Sequence, residues 1–188
     1  LREVSILQKT FRESRITIAN QDLVKAPSKY ASRIEKEYFI GLKLKNYSSQ
    51  KINNSFLMVS PIEEGIMSSE YGVRRFINNK PRNRHKGMDI AAPKGTVIQS
   101  PLLGKVIFAG NFYYRGNIVY IDHGEGLISS YSHMDEILVQ EGETISTGDK
   151  IGTVGETGRV TGPHLHWEIY FLGETLDPSI FISSALEL

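Results

Sequence analysis

The chain has 188 residues, enough for one packed β-rich domain plus an accessory segment. It carries 22 Lys+Arg against 21 Asp+Glu, a balance that supplies no global drive toward nucleic acid or anionic membrane. With no cysteine it has neither a disulfide framework nor a thiolate metal site, and no apolar run reaches the ~18 residues of a membrane span. No signal peptide is visible; the chain opens on Leu1 rather than Met, and we expect a trimmed piece of something longer.

Residues 1–55 read as an N-terminal arm. Alternation over Arg15-Ile16-Thr17-Ile18-Ala19 predicts a short strand. Pro27-Ser28 reads as a helix entry with Ser28 as N-cap, and Tyr30, Ile34 and Tyr38 at i, i+4, i+8 predict an amphipathic helix ending between Gly41 and Asn46. Residues 47–51 read as a linker. The plain role for such an arm is packing; a second is to restrain or steady a groove in the main domain.

Residues 56–188 read as mainly β. Short β-rich runs recur between turn signals, at 96–99, 105–108, 117–121, 127–131, 150–154 and 165–171. Short connections favour a small antiparallel β-sheet or sandwich. His123, in Asp122-His123-Gly124-Glu125-Gly126, belongs to a hairpin turn and is read as structural.

The chemistry concentrates in two stretches. His85-Lys86-Gly87-Met88-Asp89 sets an imidazole four residues from a carboxylate, and His164-Leu165-His166 sets two imidazoles two apart on a strand. Residues i and i+2 of a strand share a face, so both histidines can address one site. Together these offer three or four ligands to a divalent metal, and zinc suits imidazole and carboxylate donors. Arg74, Arg75, Lys80, Arg82, Arg84 and Lys86 crowd the approach to His85, a positive loop able to attract carboxylates.

Several ordered blocks carry a family resemblance: Ser69-Glu70-Tyr71-Gly72-Val73-Arg74, His85 to Pro93, Tyr131-Ser132-His133-Met134, and Gly155 to Glu168. Over about residues 56–182 the chain resembles the lysostaphin/LytM-type zinc metallopeptidases, and is closest to their Gram-negative envelope members. The resemblance implies a LytM-like catalytic domain with the site in a groove rimmed by loops. It implies Zn2+ on His85, Asp89 and His166, with His133 and His164 flanking the metal and sharing the roles of proton acceptor and oxyanion donor. It further implies an endopeptidase that hydrolyses peptidoglycan cross-links between D-alanine and meso-diaminopimelate by metal-activated water, located in the periplasm or cell envelope. Alternatives are a glycyl-glycine endopeptidase and a non-catalytic activator of a cell-wall amidase. Stem peptides are the expected partner, with Arg82 and Arg84 as substrate-binding residues through their charge. Tyr131, two before His133, is a further candidate for substrate binding, or else a half-buried strand aromatic. Arg74 is expected to be an ion-pair partner.

Overall fold

A computed structural model describes residues 10–53 and 55–182; the outer ends of the two predicted segments, 1–9 and 183–188, lie outside the described residues. The arm begins with strand β1 (Glu13–Ile16), a single turn α1 (Gln21–Val24), and a 3-10 turn (Ser28–Tyr30) that runs into helix α2 (Ala31–Lys45). Among the described residues, the regular elements of the main domain are strands apart from one 3-10 turn, Pro178–Ile180. Its strands are β2 (Ile66–Ser69), β3 (Arg74–Ile77), β4 (Lys80–Pro81), β5 (Met88–Ala91), β6 (Val97–Gln99), β7 (Gly104–Phe112), β8 (Gly116–Asp122), β9 (Leu127–Ile137), β10 (Thr144–Ile145), β11 (Lys150–Val154), β12 (His164–Phe171) and β13 (Glu174–Leu176).

The large sheet runs β10-β7-β8-β9-β12-β5-β2. Its pairings are antiparallel, β11 joins both β6 and β9, and β13 joins β12. The all-β antiparallel expectation is borne out. The two faces of this sheet bury different things, because side chains alternate along each strand. One face carries Val106, Val119, Ile121, Tyr131, Leu165, Trp167 and Ile169 into the main core. The other carries Phe112, Ile118, Tyr120, Ile128 and Tyr170 against Leu44 of α2. The turn after β8 takes positive φ at Gly124 (91°), Glu125 (52°) and Gly126 (81°), as the two glycines predict.

The arm differs from expectation in detail. The helix does not start on a Ser28 cap: Ser28 opens the 3-10 turn, Tyr30 occupies the N-cap, and no side-chain cap bond forms. Its end at Lys45 falls within the expected range of Gly41 to Asn46. Its covered stripe is Ile34, Glu37, Gly41 and Leu44, while Tyr38 is 64% exposed. Arg33 and Glu37 explain the rotation. Glu37 accepts from Arg33 at 2.6 Å and from the Tyr113 backbone N–H at 2.7 Å, which ties the Glu37 side of the helix to the β7–β8 hairpin. Strand β1 pairs parallel with β3, and β3 pairs with β4 to make a separate three-stranded sheet. Asn78 closes the end of this pairing, its side chain accepting from Ile18 N–H at 2.9 Å and donating to Ile18 C=O at 3.1 Å.

Candidate metal centre

The site is built where β12 lies between β5 and β9. Register places His166 opposite Asp89 on one side and Ser132 on the other. His85 precedes β5 and is pinned by its backbone, with its N–H on Val73 C=O and its C=O on Gly72 N–H, both at 2.9 Å. Gly87 allows the close approach of this segment to β12: a Cβ there would run into the Trp167 carbonyl oxygen and the Glu168 side chain. The i, i+2 rule holds on β12, where Leu165 and Trp167 enter the core and His164 and His166 face the groove together.

Three donor atoms converge. His85 Nε2 lies 2.9 Å from Asp89 Oδ1, His166 Nδ1 lies 2.7 Å from the same oxygen, and the two ring nitrogens are 3.0 Å apart. Donors on a tetrahedral zinc at about 2.0–2.1 Å stand about 3.3 Å from one another, so a small outward breathing of this triad admits the ion. The chemistry also fits, with two imidazoles and one carboxylate leaving a coordination position open. His85 Nδ1–H donates to the Glu70 carbonyl at 2.8 Å; the carbonyl can only accept, so Nε2 carries the lone pair that faces Asp89. Burial pushes the His85 imidazole down. For Asp89 burial acts upward, but the close approach of the His166 and His85 rings and the charges of His166 and Arg75 prevail and hold it well below the usual carboxylate range. Arg75 pairs directly with Asp89 Oδ2.

Two more imidazoles stand beside the triad. The His133 ring centroid is 4.9 Å from that of His164 and 6.0 Å from that of His166. Each commits Nδ1–H to a backbone carbonyl, His133 to Thr157 at 2.8 Å and His164 to Gly162 at 2.9 Å. Their Nε2 atoms therefore hold lone pairs. His133 has φ 66°, a conformation unusual for a non-glycine residue. It lies in a bulge: Asn117 pairs with Met134 while Val119 pairs with Tyr131, one extra residue on β9. Burial, with the charges of His166 and His164, pushes His133 well below its ordinary range.

That bulge also corrects one expectation. Tyr131 does not share a face with His133, because the extra residue between them inverts the alternation. Tyr131 is 0% exposed in the main core, with its hydroxyl 2.8 Å from Ser129 Oγ. Nothing of it reaches the groove. His123 is structural as expected: its Nδ1–H donates to the Leu103 carbonyl at 2.9 Å and Ser129 Oγ meets Nε2 at 2.7 Å. Arg74 pairs with Glu13 at 3.4 Å.

Arg82 and Arg84 do line the groove. They share a cavity of about 380 Å³ with His85, His133, His166, Arg75 and Arg159, and Ile16 and Ile18 of the arm form another part of its wall. An adjoining cavity of about 300 Å³ is lined by Asp89, His133, His164 and Arg159. Arg84 stacks on Phe11, 4.9 Å to the ring centroid. Arg159, missed in the sequence reading, stacks on Tyr114 at 4.5 Å. Burial pushes the Arg159 guanidinium down, and Arg82 and Arg75 add like-charge repulsion. Its signal was faint, a single cation in the Gly-rich run 155–162. Glu168 was missed as well, although it stands two after His166 on the same strand face.

Residues 83–178, half of the chain, match the profile of peptidase family M23. The chain belongs to this family. Among relatives, peptidoglycan DD-endopeptidase ShyA of Vibrio cholerae is 43% identical over 93 residues, 50% of this chain and 22% of ShyA. Among solved structures, a putative M23 peptidase from Pseudomonas aeruginosa superposes with TM-score 0.71 at 35% identity, covering 80% of this chain and 60% of that one. A zinc-containing peptidase from Vibrio cholerae superposes with TM-score 0.60 at 32% identity, covering 68% and 39%. The chain thus spans about a fifth of the length of ShyA. The expected family and fold are borne out, and the M23 match takes in His85, Asp89, His133, His164 and His166 alike.

Proposed function

We propose that this M23 chain is the catalytic domain of a zinc-dependent endopeptidase that hydrolyses peptidoglycan cross-links between D-alanine and meso-diaminopimelate, working in the periplasm or cell envelope. The observation that carries the reading is the convergence of His85 Nε2, Asp89 Oδ1 and His166 Nδ1 beside two imidazoles whose tautomers are set by backbone carbonyls. The names of the relatives support the substrate.

His85, Asp89 and His166 hold the metal, which when bound supplies a Lewis acid and lowers the pKa of water toward ~7. The rest falls to the protein. His133 and His164 each present a bare Nε2, and so can take a proton from an attacking water and return it to the departing amine. Once protonated, the same Nε2–H donates to the oxyanion of the tetrahedral intermediate. Burial keeps His133 neutral near pH 7, which is the state a proton acceptor needs. Arg82, Arg84 and Arg159 give the groove a positive wall suited to the carboxylates of stem peptides. A family member that only activates another enzyme has no need of this complete set of ligands and flanking histidines.

The test is cleavage of a purified cross-linked muropeptide dimer, with pentaglycine as the competitor substrate. Conversion of the dimer to monomers with pentaglycine left intact is the expected result. Cleavage of pentaglycine alone would move the substrate to glycine bridges, and cleavage of neither would contradict the enzymatic reading.

A further inference from the structure

Four imidazoles ring the site, and each has one nitrogen turned toward it and one turned away. For His85, His133 and His164 the outward nitrogen donates to a backbone carbonyl, of Glu70, Thr157 and Gly162 respectively. His166 differs. Its inward Nδ1 faces Asp89, and its outward Nε2 lies 3.4 Å from Oε1 of Glu168.

Glu168 is 1% exposed and tightly held. Its Oε2 pairs with the Arg115 guanidinium, accepts from the Tyr170 hydroxyl at 2.6 Å and from Ser130 Oγ at 3.3 Å. One carboxylate oxygen is therefore committed to the fold, which leaves the other aimed at the imidazole. Arg115 comes from the turn of the β7–β8 hairpin, and it lies with Glu168 and Tyr170 along the cavity beneath α2. The carboxylate is buried, while its guanidinium partner keeps 32% of its side-chain surface exposed.

We propose that Glu168, fixed by Arg115, is a positioning residue for the metal ligand His166. By accepting the Nε2–H it selects the tautomer that presents a bare Nδ1 to the metal. A charged acceptor behind a ligating imidazole also raises the basicity of that ligand. The inference rests on the metal reading above and is independent of the substrate.

The test uses the full chain, metal-free and loaded with zinc. Nitrogen-15 NMR of the zinc-loaded wild type is expected to show His166 bound through Nδ1 with the proton on Nε2. Competition with a chromophoric chelator is expected to show zinc binding about 10–100-fold weaker in Glu168→Gln, since an amide offers a donor as well as an acceptor and no longer dictates the tautomer. The double variant Arg115→Met/Glu168→Leu leaves no buried charge alone and serves if Glu168→Gln does not fold. A purely structural ion pair would lower the melting temperature and leave the zinc affinity of the folded protein unchanged. Coordination through Nε2 in the wild type, or wild-type zinc affinity in the folded variants, would overturn the proposal. A wild type that binds no zinc would sink the metal reading, and this inference with it.

Discussion

At the scale of single residues, the proposed function divides the site into groups that would hold a metal and groups that would move protons. His85→Ala, Asp89→Ala and His166→Ala each remove one donor of the convergent triad; loss of bound zinc, read by metal analysis after dialysis, is the expected outcome. His133→Ala and His164→Ala leave the triad whole, and each is expected to retain zinc while turnover falls by at least the 10²–10⁴-fold typical of lost acid–base catalysis. Zinc lost from His133→Ala would contradict this division. His123 has no part in the chemistry but sets an acid limit. Burial pushes its imidazole from 6.5 to about 4, so between those values the unfolded chain binds a proton that the fold refuses. Its contribution is complete above pH 6.5 and is lost as the pH falls through 4, a change of about 3 kcal/mol. Unfolding measured from pH 7.5 to 4.5 should therefore show a flatter acid slope in His123→Asn than in the wild type, and parallel slopes would contradict it. The residues of the convergent triad were legible in the sequence because metal chemistry favours their spacing. Tyr131 misled because alternation assumes an unbroken strand, and the bulge at His133 has no marker in the sequence around it: the residue with φ 66° is a histidine, not a glycine.

At the scale of elements, β12 organises the molecule. Its outward face runs from His164 and His166 at the site, through Glu168, to Tyr170 under α2. The catalytic groove and the arm helix therefore share one side of the sheet. Leu44 is the buried apolar anchor of α2 there, at 9% exposure, and Leu44→Ala should cost about 2–3 kcal/mol, visible as a lower melting temperature. An unchanged melting temperature would mean that α2 adds nothing to the fold. The strands were readable from their β-rich runs and glycines, and the helix from its period. The buried stripe was not: the aromatic spacing of Tyr30, Ile34 and Tyr38 pointed to one face, but the Glu37 bonds to Arg33 and the Tyr113 amide turned Tyr38 outward. The pairing of β1 with β3 was likewise hidden, since parallel partners 61 residues apart, such as Glu13 and Arg74, leave no local signal.

At the scale of the whole molecule, a nearly neutral chain of net charge +1 concentrates Arg75, Arg82, Arg84 and Arg159 on one groove. Such a field acts on approach and is screened by salt, with a Debye length of about 8–10 Å near physiological ionic strength. Neutralising Arg82 and Arg84 together should raise KM several-fold at low salt and less at high salt, with kcat little changed; a KM that does not respond to salt would contradict the steering role. In the proposed function a metal held by His85, Asp89 and His166 drives hydrolysis of cross-links. Its most direct test is mass spectrometry of muropeptides from diaminopimelate-type sacculi incubated with the protein, with and without a zinc chelator. Loss of cross-linked dimers with a matching rise in monomers, abolished by the chelator and restored by zinc, is the expected result. Dimer loss that persists in the chelator, or a profile unchanged under every condition, would contradict it.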